Sequence, residues 1–105
     1  MTIQFNTDHN IDNKEAHKAH FTALIKDQFN RYEAHITHID AHLSDENGAK
    51  KGQNDKRCVL ETRIKGLPPM AVSNDADTSE QAVSGAIHKL KSSLDSSLSR
   101  LKDHN

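Results

Sequence analysis

Residues 57–72 read Arg-Cys-Val-Leu-Glu-Thr-Arg-Ile-Lys-Gly-Leu-Pro-Pro-Met-Ala-Val. Through 57–65 the side chains alternate, with Cys58, Leu60, Thr62 and Ile64 on one side and Val59, Glu61, Arg63 and Lys65 on the other. A period of two with one apolar side is a strand that buries one face. Gly66-Leu67-Pro68-Pro69 then turns the chain, because proline has no amide to give a central ladder. Met70-Ala71-Val72 reads as a brief returning strand.

The elements on either side follow from this one. Upstream, residues 44–56 (SDENGAKKGQNDK) hold two glycines and no apolar residue but Ala49, the composition of a long hairpin loop. Before them, residues 36–43 alternate again. Ile39, Ala41 and Leu43 share one face and His38, Asp40 and His42 the other, a half-solvated strand of an antiparallel sheet. Phe21, Leu24, Ile25, Phe29 and Tyr32 recur at three- and four-residue steps, which predicts a helix over 14–32 with Asp12 or Asn13 as its N-cap. Arg31 falls in its last turn, where a cation complements the helix dipole. At the N-terminus Ile3 and Phe5 alternate within 2–7, a short first strand. At the other end Thr78-Ser-Glu-Gln81 has the form of a capping box. Val83, Ile87, Leu90, Leu94, Leu98 and Leu101 then make one apolar stripe, predicting a second helix over 79–102.

The order is β-α-β-β-β-α. Each helix has one apolar face, and so have the strands. The economical packing is an α+β two-layer sandwich, a four-stranded sheet with both helices on one face, in a single domain spanning 1–105.

Composition narrows the function. The chain has 105 residues, 14 Lys+Arg against 15 Asp+Glu, a net charge of −1, and eight His. Near-zero charge argues against a general polyanion binder but leaves room for a local basic face. No apolar run approaches the roughly 20 residues of a membrane helix, and MTIQFNTDHN is not a secretory signal. One cysteine cannot form an internal disulfide, which fits a reducing cytoplasm.

Sites for chemistry are hard to assemble. His38 and His42 share a strand face, but four residues at ~3.3 Å each put their Cα atoms about 13 Å apart, too far for one ion. Solvated surface histidines are the plainer reading. Cys58 belongs to the inward stripe, where thiols are inert. Asp75 and Asp77 read as a solvated turn and capping region. No GxSxG, P-loop or GxGxxG occurs, so no catalytic residue, metal ligand or cofactor is expected. The basic residues remain. Lys89 and Arg100 lie on one flank of the second helix's stripe and Lys91 and Lys102 on the other, with acids such as Asp95 and Glu61 interspersed.

With these residues in hand, the chain resembles the ribosome hibernation-promoting factor family. That family includes the ribosome-associated inhibitor A proteins, once labelled sigma-54 modulation proteins. The resemblance spans nearly the whole chain and is most specific in the second half. Cys58 to Val72 looks like the family's third and fourth strands. Ala82-Val-Ser-Gly-Ala-Ile-His-Lys-Leu90, followed by Leu94, looks like its C-terminal helix. The chain departs from the family pattern in the serines that fill the polar face after Leu90, in Glu80 where an aromatic is common, and in His88 where an acid is usual. Ending at Asn105, it is similar to the short members, without the extra C-terminal domain of the long ones.

The resemblance implies a fold similar to double-stranded-RNA-binding domains and a function without catalysis. Such a protein would occupy the 30S subunit near the decoding centre, against 16S rRNA, and block mRNA and tRNA sterically in stationary phase or stress. It implies rRNA contacts at Lys89, which matches a basic position directly, and at Lys91, Arg100, Lys102 and Lys26, which lie in regions the family uses. No membrane is involved. A second reading is a divergent paralogue that kept the fold, lost rRNA affinity and acts as a protein-interaction module or weak homodimer. A third, motivated by the eight His, is a metal or pH sensor.

Overall fold

The computed structural model describes residues 1–8, 15–45 and 55–103, with the side chains of Glu15 and of 101–103 excepted. The expected N-cap at Asp12 or Asn13 and the centre of the hairpin loop lie outside these residues. Six main elements follow in order: β1 (Thr2–Thr7), α1 (Glu15–Phe29), β2 (Ile36–Asp45), β3 (Lys56–Ile64), β4 (Met70–Ala76) and α2 (Ser79–Asp103). A 3₁₀ turn, Asn30–Tyr32, extends α1.

The strands form one sheet in the order β1-β2-β3-β4. The pair β1–β2 is parallel and the other two are antiparallel. A parallel neighbour needs a crossover, and α1 is that crossover. The alternation reads through to burial: Phe5, Ile39, Ala41, Leu43, Cys58, Leu60, Thr62 and Ile64 all point inward. Over this face lie α1, on β1, and α2, on β3 and β4. Phe21, Ile25 and Phe29 of α1 with Val83, Ile87, Leu90 and Leu94 of α2 complete a single core cluster. Phe5 and Phe21 stack with ring centroids 5.4 Å apart.

Three local features go beyond the sequence pattern. Ile36 and Ile39 are both buried although they stand three positions apart, a step that strict alternation would put on opposite faces. A register shift between Ile36 and His38 explains this: Ile36 faces Ile64 and His38 faces Arg63, so Thr37 is the extra residue of a bulge. Thr62, buried in the apolar stripe, donates its hydroxyl to the His38 carbonyl at 2.9 Å beside that bulge.

The long hairpin loop is shorter than expected. Ser44, Asp45 and Lys56 belong to the β2–β3 ladder. Buried Asp45 accepts from Lys56 Nζ at 3.2 Å, a cross-strand pair that polarity alone disguised as loop. Burial opposes the Lys56 charge, but Asp45 and Asp55 together outweigh it and raise its pKa.

The last strand continues past Val72 to Ala76. Asn74 keeps it attached to α2, its Nδ2 donating to Gln81 O at 3.3 Å and Ala82 O at 3.4 Å. Gly85 makes the approach feasible, since a Cβ there would lie 2.0 Å from Asn74 Nδ2. The Thr78 hydroxyl accepts from the Gln81 amide at 3.1 Å, which is the Thr half of the expected capping box. The β3–β4 turn closes through Leu67 N to Ile64 O at 3.3 Å, with Gly66 at φ 78°, a left-handed conformation that glycine adopts freely.

Candidate nucleic-acid interface

The two helices lie side by side and run in the same direction. Three cross-links show this, since they join residues rising together along both chains. His20 Nε2 meets Glu80 Oε2 at 3.1 Å, Lys91 Nζ donates to Gln28 Oε1 at 2.6 Å, and Arg31 Nη2 donates to Asp95 Oδ2 at 3.1 Å. All three sit on the solvent side of the groove between α1 and α2.

The far end of this seam is the most organised. The Tyr32 hydroxyl donates to Asp95 Oδ1 at 2.6 Å. Arg31 Nη2 also bonds the Tyr32 hydroxyl. The guanidinium carbon stands 4.6 Å from the Tyr32 ring centroid, within cation–π range. Burial pushes the Tyr32 phenol above its ordinary pKa, and its bond to Asp95 adds to the effect. The Arg31 pKa is raised chiefly by its bond to Tyr32, with Asp95 contributing. Sequence reading placed Arg31 in the last helical turn but not in a site, because its partner Asp95 lies 64 residues away.

Of the five basic residues singled out by resemblance, the four with described side chains do not converge on one point. Lys91 is half-buried in the α1–α2 seam. Lys89 lies on the opposite flank of α2, about 200° around the helix for two residues. It reaches across to the Ser73 carbonyl of β4 at 2.8 Å. Arg100 shares that flank and donates to Ser97 Oγ at 3.3 Å. There it borders a hydroxyl-rich groove with Ser92, Ser93 and Ser96 against Met70 and Ala71. Lys26 is exposed on the side of α1 facing away from α2, two positions from Gln28. Lys102 lies within α2, but its side chain is outside the described residues. The described cations of the helical layer thus lie on three fronts, with Lys89 reaching to the β4 edge of the sheet.

The opposite sheet face is mixed in charge. Arg57 Nε donates to Asp75 Oδ1 at 2.8 Å, which holds the Asp75 carboxyl below its usual pKa. His38 and Asp40 approach to 3.6 Å. Cys58 is fully buried, and desolvation pushes its thiol up to about 12. Among the described residues no group of three His, Cys, Asp or Glu is placed to hold a metal ion. No helix among them is long and apolar enough to cross a membrane. A cavity of about 510 Å³ is lined by Phe5, Phe21 and Leu43 together with His17, Lys18 and His20.

Residues 5–102 match the family described as sigma 54 modulation protein / S30EA ribosomal protein. The chain belongs to that family. Its members are ribosome-associated and act without catalysis. Among solved structures, the chain is similar to a ribosomal subunit interface protein from Coxiella burnetii, with a TM-score of 0.70 at 18% identity over 94% of this chain and 99% of that one. It is also similar to the N-terminal domain of Thermus thermophilus protein Y, with a TM-score of 0.69 at 17% identity over 89% of this chain and 94% of that one. At such identities these two likenesses speak for the fold alone. No curated protein matches the sequence.

Proposed function

We propose that this protein is a ribosome-associated hibernation or translation-inhibiting factor of the cytoplasm. It binds the 30S subunit near the decoding centre and excludes mRNA and tRNA by filling their path. The observation that carries this reading is the family match over residues 5–102, joined to a helical layer that carries Lys and Arg on several flanks. The action is steric. A folded wedge is held by phosphate contacts, and each such contact releases counterions and makes binding salt-dependent. Lys89, Lys91, Arg100, Lys102 and Lys26 supply the contacts in this reading.

Sedimentation with vacant 70S ribosomes and separated 30S subunits, at low and near-physiological salt, tests it. Pelleting with 30S that survives physiological salt, and is lost when Lys89, Lys91, Arg100 and Lys102 become Ala, is the expected result. Pelleting only at low salt means nonspecific polyanion contact and refutes it.

One observation favours a second reading. Arg31, Lys56 and Arg57 are each paired with an acid. A paralogue with little rRNA affinity, acting as a protein-interaction module or weak homodimer, would show a dimer in solution and no pelleting at either salt.

A further inference from the structure

The α1–α2 seam is electrically balanced, and the balance turns on one residue. His20, Gln28 and Arg31 of α1 face Glu80, Lys91 and Asp95 of α2. With His20 neutral, Arg31 and Lys91 are cancelled by Glu80 and Asp95. Glu80 stands at the near end, against His20. Asp95 stands against Arg31, and one helical turn (~5.4 Å) from Lys91. Both members of the Arg31–Asp95 pair are more than half exposed, at 65% and 56%. Water therefore reaches the pair, and its contribution to folding is small. What remains is the effect on the field above the seam.

The guanidinium is held ready for an oxyanion. Its Nη2 is anchored on Asp95 and on the Tyr32 hydroxyl, and its plane is steadied by the Tyr32 ring. Nη1 and Nε have no hydrogen-bond partner among the described residues. A planar fork of this kind suits a phosphate. Lys91, one turn back along α2, is hydrogen-bonded to a neutral amide and not to a carboxylate.

We propose that Asp95 sets the strength of phosphodiester binding along the α1–α2 seam. It aims Arg31 and at the same time cancels its charge, so the seam binds RNA backbone more weakly than its geometry allows. Asp95 acts on affinity through Arg31, and the ligand is the phosphate backbone of RNA. This inference rests on the RNA-binding reading above, and adds a site, Arg31 with Lys91, and a brake on it.

The test is titration of a fluorescein-labelled 16-base-pair RNA duplex with the full chain at 50 mM and 200 mM KCl, read by anisotropy. Asp95→Asn keeps an oxygen to accept from Tyr32 and Arg31 and removes only the charge. Losing one unit charge ~4 Å from the contact, in water-like screening, tightens binding about fivefold at 50 mM KCl. The salt slope steepens by roughly 0.9, one added phosphate contact. Adding Arg31→Ala to Asp95→Asn abolishes the gain. Circular dichroism checks that each variant is folded.

Glu61→Gln, on the opposite sheet face, is the matched control for net charge. An equal gain from Glu61→Gln, no gain from Asp95→Asn, or a gain that survives Arg31→Ala would each overturn the proposal. Failure of the wild-type protein to pellet with 30S refutes the hibernation reading separately, because the duplex titration does not depend on it.

Discussion

Replacing Gly85 by alanine sets two comparable effects against each other. In a helix interior alanine is favoured over glycine by about 1 kcal/mol. Here the new Cβ would stand 2.0 Å from Asn74 Nδ2, 2.5 Å from its Cγ and 3.0 Å from its Oδ1. Asn74 must swing away and give up its bonds to Gln81 O and Ala82 O. Both bonds are long and share one nitrogen, so together they are worth about 0.5–1.5 kcal/mol. The two effects nearly cancel, and Gly85→Ala alone changes stability by less than about 1 kcal/mol. Asn74→Ala alone destabilises by about 0.5–1.5 kcal/mol. In that background the obstruction is gone, and Gly85→Ala then recovers its full ~1 kcal/mol. Urea unfolding of the wild type, both singles and the double completes the cycle, with an expected coupling of about 1 kcal/mol. A stabilisation of about 1 kcal/mol by Gly85→Ala in the wild-type background, with no coupling, would refute the account, since Asn74 could then not be seated against the helix.

Leu94→Ala, at a fully buried core position, destabilises by about 2–5 kcal/mol, readable by the same unfolding method. The Cys58 thiol, with its pKa at about 12, stays protonated in the fold while the unfolded chain ionises from ~8.5. The unfolded state is therefore favoured as pH rises through that window, and the Cys58→Ala variant should lose stability less steeply between pH 8.5 and 10, by up to ~1.4 kcal/mol per pH unit. Tyr32 is the sole tyrosine, so absorbance at 295 nm titrates it alone. Its midpoint should lie above 10.0, and Asp95→Asn should lower it only partway, because burial is the larger cause and remains.

Much of the architecture was legible because two periods divide the sequence cleanly. The inward stripe of Cys58, Leu60, Thr62 and Ile64 and the helical stripe from Val83 to Leu94 are both buried as read. The bulge at Thr37 was not legible, since it is a property of pairing between two strands and not of either strand. Asp45 and Lys56 were read as loop because they are polar, and Asn74 lay beyond the expected last strand, yet each is satisfied by a partner from another segment. The candidate interface was half legible. Basic residue types on α2 were visible, and so was their division between two flanks. Which cations are cancelled was not, because Arg31 meets Asp95 only once both helices lie in parallel on the sheet.

The sheet also has a weak hem. From Ile36 to the end of α2 every strand pairs with its neighbour in sequence, and α2 folds back on β3 and β4. Such local pairing closes quickly. By contrast, β1 joins through one parallel ladder to β2, across the whole of α1, and its other edge is unpaired in the sheet. This topology predicts that the C-terminal two thirds assembles first and that β1 joins last. Native-state amide exchange should run in the reverse order, with Thr2 to Thr7 opening well before Cys58 to Thr62. A ligand that grips both helices would tighten that hem as well, because α1 is the thread that holds β1 in place.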